Sequence, residues 1–163
     1  MTDRDFRTAR LIALALPAAL MAGALGSQFI GHLVPCEMCH WQRWPHYTGI
    51  VLAVLAFVVP GRGAQRVLVA LAALAILTSG AIGVFHAGVE YHWWRGITPC
   101  ATTLTDTGGS AADVLAKIMA APVVRCDAPQ WTLFGISLAG FNALFSIAGA
   151  ATILALMARK ARA

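Results

Sequence analysis

Charge is scarce in this chain of 163 residues. Asp, Glu, Lys and Arg together make up 12% of it, against about 25% in a soluble globular domain. Beside a hydrophobic content of 59%, that shortage disfavours a soluble fold and points to a membrane protein. The formal charge of +5 is spread over helix ends and forms no basic patch, which argues against nucleic acid as a partner. No internal repeat with a period of roughly 20–50 residues is present, which excludes a solenoid. Cysteine is sparse too. There are four, and only Cys36 and Cys39 are closely spaced. A common zinc site takes two short-spaced pairs, and the second such pair is missing.

What the chain does have is long uncharged runs. Residues 11–31, 44–61 and 67–85 carry no charge, and neither do residues 128–158. A hydrocarbon core needs about 20 apolar residues, so these runs predict four spanning helices at about 11–31, 44–61, 67–87 and 131–157. The expected architecture is one integral membrane domain, residues 1–163, an all-α bundle of four transmembrane helices. Two loops at about 32–43 and 88–130 share one side. The first run is too long for the core of a signal peptide and reads as a retained helix. Gly23, Ser27 and Gly31 recur at four-residue spacing, which predicts close approach of a neighbouring helix. Pro45 suits the first turn of the second helix.

Four spans put both termini on one side. That side holds eight of the twelve basic residues: Arg4, Arg7, Arg10, Arg62, Arg66, Arg159, Lys160 and Arg162. The positive-inside rule makes it the cytoplasmic side and places the cysteine loops outside. The aromatic residues agree, because Trp41, Trp44, Trp93, Trp94, Trp131, Tyr47 and Tyr91 all fall at the outer helix ends. In the second loop, Ser110 and Asp113 have the spacing of a capping box. Ala111, Val114, Leu115, Ile118 and Met119 follow at helical spacing, predicting a short amphipathic helix on the surface or on the bundle.

The chemistry centres on Pro35-Cys36-Glu37-Met38-Cys39-His40-Trp41-Gln42-Arg43. A Cys-x-x-Cys entering a helix is a redox arrangement, since first-turn N–H groups and a nearby cation both favour thiolate. Arg43 is four residues past Cys39 and shares its helix face. Cys100 and Cys126 in the outer loop have disulfide-permissive surroundings. Three readings of the four cysteines are open at this level: a redox relay, two static disulfides, or a four-thiolate zinc site. Of the five histidines, His86 stands apart. It ends an apolar helix one turn before Glu90, at about the depth of Arg43, and ionisable groups there are costly.

Cys-x-x-Cys-x-x-Gln-Arg after the first of four spans, followed by Cys100 and Cys126 in the second outer loop, resembles the bacterial DsbB family of disulfide bond formation proteins. The likeness runs from the first helix through the fourth. Vitamin K epoxide reductases share four helices and two cysteine pairs, but their loop cysteines precede the Cys-x-x-Cys. The resemblance implies a multi-pass protein of the bacterial inner membrane with cytoplasmic termini and periplasmic cysteine loops. It implies a quinone cofactor, ubiquinone or menaquinone, and a DsbA-like periplasmic thiol oxidase as partner. Cys36, Cys39, Cys100 and Cys126 are then the catalytic cysteines, with no metal. Cys100 would take the attack of the reduced partner and Cys126 would bond Cys36. That leaves Cys39 as a thiolate beside the quinone, with Arg43 stabilising it and His86 bonding a quinone carbonyl. Gln42 stands where some family members carry an acidic residue. The run from Gly88 to Trp94 also resembles the DsbI branch, which serves a dedicated partner.

Overall fold

The computed structural model describes residues 1–98, 101–102, 110–120 and 123–159, and the side chains of most of them. The expectations for Cys100, Lys160 and Arg162 lie outside the described residues, as do those for the side chains of Ala111, Val114 and Ile118.

The protein is an all-α membrane protein built on four long helices. These are α1 (Asp3–Phe29), α2 (Glu37–Val58), α3 (Arg62–Glu90) and α5 (Leu138–Ala158), with the short α4 (Ala111–Ala120) between the last two. Two-residue strands pair Ala101–Thr102 with Val123–Val124, and Thr132–Leu133 with Ile136–Ser137. Around the bundle, α3 packs mainly on α2 and α5, and α1 on α5 and α2, so α1 and α3 sit on a diagonal.

The helices begin where capping chemistry allows rather than where charge ends. Thr2 and Asp5 form a capping box that starts α1 eight residues before its uncharged run. Cys36 caps α2 through a 3.3 Å bond from the Cys39 N–H, so α2 opens well before Pro45. Pro45 therefore lies inside the helix rather than in its first turn. Ser137 caps α5, accepting from Gly140 N–H at 3.1 Å. Ser110 and Asp113 make the reciprocal bonds of a capping box before α4.

By length and composition α1, α3 and α5 can each cross a membrane. In α2 the first two turns carry Glu37, His40, Gln42 and Arg43, so its uncharged part is shorter. The packing is small inside and large outside. The buried core is dominated by alanine: Ala9, Ala13, Ala53, Ala56, Ala72, Ala73 and Ala150, with Phe6, Val69, Ile76 and Ile153. Val51, Val54, Val58, Leu74 and Leu144 face outward. That inversion suits helices whose surroundings are lipid, because small residues let backbones approach. At one end of the bundle Arg62 pairs with Asp3, and Arg159 reaches Asp5 at 3.5 Å. The helix termini rich in Arg are thereby gathered together.

The four-residue repeat in α1 does not work as expected. A Cβ at Gly23 would meet nothing within 4 Å, because Gly23 borders a cavity instead of a helix. Close approach occurs elsewhere. A Cβ at Gly80 would lie 2.9 Å from Ile147 Cγ1 and 3.1 Å from Ser146 Cβ, so Gly80 is what lets α3 meet α5.

Candidate thiol–disulfide site

The end of the bundle opposite the Arg cluster holds the cysteines. Cys36 and Cys39 are unbonded, with Sγ atoms 2.8 Å apart. Cys36 is buried, and it shares an apolar cluster with Met38, Val89, Val124 and Cys126. The second loop thus brings the buried Cys126 against the Cys36 end of α2. Gln130 fastens that loop. Its amide bonds both sides of the Val34 backbone, accepting from Val34 N–H at 3.1 Å and donating to Val34 O at 2.5 Å.

The loop is also tied to α3. Thr132–Ser137 is a hairpin whose two turn residues, Phe134 (φ 51°) and Gly135 (φ 78°), both have positive φ, the conformation of a type I′ turn. Tyr91 OH donates to Gly135 O at 2.7 Å and accepts from Ser137 N–H at 2.8 Å. Ser137 Oγ donates to the carboxylate of the buried Glu90.

Electrostatics separate the two thiols of the first pair. The pair stands at the N-terminus of α2, outside the apolar stretch. A hydrogen bond from Cys36 holds Cys39 below the ordinary thiol range. Burial opposes this shift, and the Arg43 charge adds to it. The same hydrogen bond pushes Cys36 far up, and burial pushes it further. Cys39 is therefore the more readily ionised of the pair. Arg43 does not bond Cys39 directly. Its guanidinium reaches across to α1, donating to Gln28 Oε1 at 2.6 Å and to the Ala24 carbonyl at 3.2 Å.

His86 reaches the pair from α3, with Nε2 3.5 Å from Cys36 Sγ and 3.8 Å from Glu90 Oε1. The ligand atoms of Cys36, Cys39 and His86 all lie within 4.8 Å of one another, a spacing that a soft metal ion could also use. Behind His86 runs a buried polar network that the sequence reading did not anticipate. Gln42 Nε2 lies 2.7 Å from His86 Nδ1, and Asn142 Nδ2 lies 2.8 Å from Gln42 Oε1. His46 Nε2 approaches Asn142 Oδ1 at 2.8 Å and Ser79 Oγ at 2.9 Å. A signal existed: Asn142 and Ser146 are polar residues inside an uncharged span, where such groups need partners.

Beside the thiol pair lies a cavity of about 230 Å³. Gly23, Ala24 and Ser27 of α1 form one wall, Trp131, Phe141 and Phe145 another, and Cys39 and Arg43 its polar edge. A flat aromatic-sized ligand with a polar rim fits such walls, since pockets of this kind combine apolar faces with a few placed donors.

Comparison with known proteins identifies the family. The family described as "Disulfide bond formation protein DsbB" matches residues 6–156. A relative named "Disulfide bond formation protein B" from Verminephrobacter eiseniae (strain EF01-2) is 33% identical, over 96% of this chain and 88% of that protein. One of the same name from Herminiimonas arsenicoxydans is 31% identical, over 76% of this chain and 84% of its own length. An "Uncharacterized protein RP370" from Rickettsia prowazekii (strain Madrid E) is 23% identical, over 87% of this chain and 82% of that protein. No solved structure matches the chain.

Proposed function

This chain belongs to the DsbB family of disulfide bond formation membrane proteins, and on that premise we propose that it is a thiol:quinone oxidoreductase that reoxidises a DsbA-type dithiol in the periplasm. One observation carries the proposal. Two cysteine sulfurs 2.8 Å apart stand at the rim of an apolar cavity, with a third cysteine buried against them.

The relay proceeds by thiol–disulfide exchange. A thiolate of the reduced partner attacks Cys100 of a Cys100–Cys126 disulfide, forming a mixed disulfide and freeing Cys126. Cys126 then attacks Cys36 of a Cys36–Cys39 disulfide, and Cys39 leaves as thiolate. The shared cluster of Cys36 and Cys126 supports that choice of attacked sulfur, and a leaving thiol of low pKa departs faster. The second thiol of the partner attacks the mixed disulfide, releasing Cys100. Cys100 then attacks Cys126, which reforms the loop disulfide and frees Cys36. Two electrons and two protons have now moved from the partner to the Cys36–Cys39 pair. A quinone, when bound, accepts both electrons and both protons and so restores the Cys36–Cys39 disulfide. DsbA is a strong oxidant, at about −120 mV, so the terminal acceptor must lie higher still.

The residues that would hold a quinone ring are Phe141 and Trp131 along one side and Arg43 at its polar edge. Arg43 would bind one carbonyl while its charge keeps Cys39 ionised. His86 also borders the cavity, but its Nε2 faces the Cys36 sulfur at 3.5 Å. Its role therefore lies first at the thiol pair, with a quinone carbonyl as an alternative acceptor. We place the termini in the cytoplasm and the cysteine loops in the periplasm. The clustering of Arg62 and Arg159 with Asp3 and Asp5 at the opposite end of the bundle supports that orientation.

The test is purified protein mixed with a reduced DsbA-type protein and ubiquinone or menaquinone. Loss of quinone absorbance in step with oxidation of the partner is expected. A stable quinone signal with no partner oxidation would leave a static scaffold as the better account.

A further inference from the structure

Gln42, His86 and Asn142 come from α2, α3 and α5 and meet in the buried interior beside the thiol pair. Both amides have their orientation fixed by backbone carbonyls, which only accept. Gln42 Nε2 lies 3.2 Å from the Met38 carbonyl one turn earlier. Asn142 Nδ2 lies 3.2 Å from the Ser79 carbonyl and donates to Gln42 Oε1. Gln42 therefore presents an N–H to His86 Nδ1, and Nδ1 must accept it. A doubly protonated ring would set N–H against N–H at 2.7 Å, so the ring is neutral with its proton on Nε2. Nε2 faces atoms that can accept: Cys36 Sγ at 3.5 Å and Glu90 Oε1 at 3.8 Å.

We propose that Gln42, clamped by Asn142, is a positioning residue that locks His86 in the Nε2–H tautomer. The imidazole then donates to the Cys36 sulfur and offers Cys36 and Cys39 no lone pair.

That lock decides between the two chemistries that the triangle of Cys36, Cys39 and His86 allows. A metal-bound histidine coordinates through a ring lone pair and donates its other N–H to a carbonyl or carboxylate. Here the far nitrogen faces a donor instead, so the lone pair points away from the sulfurs. The two thiols are kept for exchange with other sulfurs and shielded from capture by zinc or copper. The donated N–H steadies negative charge on Cys36 each time that sulfur becomes a leaving group. This inference concerns the proton on one ring and involves no quinone, so a failed quinone assay would leave it standing, and its own failure would leave the quinone assay untouched.

The direct test is ¹⁵N NMR of the full-length protein in detergent with labelled histidine, in the reduced state. His86 signals are identified by their loss in His86→Phe. The expected spectrum shows a bare Nδ1 and a protonated Nε2 at neutral pH. A proton on Nδ1, or a pair of averaged signals, would overturn the proposal without any need for a variant at Gln42. A second measurement uses Gln42→Glu, which offers a carboxylate to Nδ1 and should move the proton there. The reduced variant is then expected to bind Co²⁺ at least tenfold more tightly than the native protein. The readout is thiolate-to-cobalt absorption, which disappears when His86→Phe is added. Equal Co²⁺ affinity in the native and Gln42→Glu proteins would contradict the lock.

Discussion

The sulfur of Cys36 accepts the backbone N–H of Cys39 at 3.3 Å while its own thiol lies 2.8 Å from the Cys39 sulfur. One residue thus caps the helix and lowers the pKa of its neighbour. Because the folded pKa of Cys39 is depressed, its thiolate is present above that pKa and is lost only as pH falls through it. Alkylation of Cys39 in reduced protein should therefore stay fast below the ordinary thiol value of about 8.5. In Cys36→Ala the hydrogen bond is gone, and the pH–rate curve should move up toward that ordinary value. Rapid alkylation followed by mass spectrometry reads both curves. Coincident curves would remove Cys36 as the cause.

Arg43 adds charge to the same thiolate and ties α2 to α1 through Gln28 and the Ala24 carbonyl. Arg43→Gln removes the charge and at least one charge-assisted bond, each worth about 1.5–3 kcal/mol. The expected result is a rise of roughly 10- to 100-fold in KM for quinone and slower alkylation of Cys39 at neutral pH. Arg43→Lys should recover the alkylation rate better than the KM, since it keeps the charge without the fork. An unchanged KM in Arg43→Gln would place the quinone elsewhere.

Two glycines separate packing from cavity. At Gly80 a Cβ would press on Ile147 and Ser146, whereas at Gly23 it would meet nothing within 4 Å. Gly80→Val should cost about 1–3 kcal/mol through overpacking and lower Tm in detergent by several degrees. Gly23→Leu should leave Tm within a degree or two, yet fill the cavity and cut quinone-dependent turnover. Formation of the mixed disulfide with the partner would continue. Normal turnover in Gly23→Leu would show that the cavity is not where electrons leave the thiol pair.

Much of this was legible from residue type and spacing, and the limits were physical. Uncharged runs located the long helices, because lipid leaves few alternatives to an apolar helix. Their starts were misjudged because Thr2 and Cys36 cap helices through side-chain bonds that a charge count does not see. The Cys-x-x-Cys and its shared face with Arg43 followed from helical spacing. The roles of Gln42, Asn142 and Gln130 did not, because each bonds a residue at least 44 positions away. Gly23 looked like a helix contact because spacing alone cannot tell a groove that is filled from one left open.

Gln130 holds the second loop to the first through the Val34 backbone. Gln130→Ala loses two exposed bonds, about 0.5–1.5 kcal/mol each. Global stability should fall by no more than about 1–3 kcal/mol, while exchange between Cys126 and Cys36 should slow several-fold, read as slower appearance of the Cys36–Cys126 disulfide by trapping and mass spectrometry. No change in that rate would mean that the apolar cluster alone holds the loop.

The central claim is that Cys39 hands electrons from the thiol pair to a quinone. It is tested most directly by following quinone absorbance with reduced partner present, in native protein and in Cys39→Ser side by side. The account predicts one quinone consumed per partner dithiol oxidised by the native protein, and no consumption by Cys39→Ser. Quinone loss at the native rate in Cys39→Ser would contradict it.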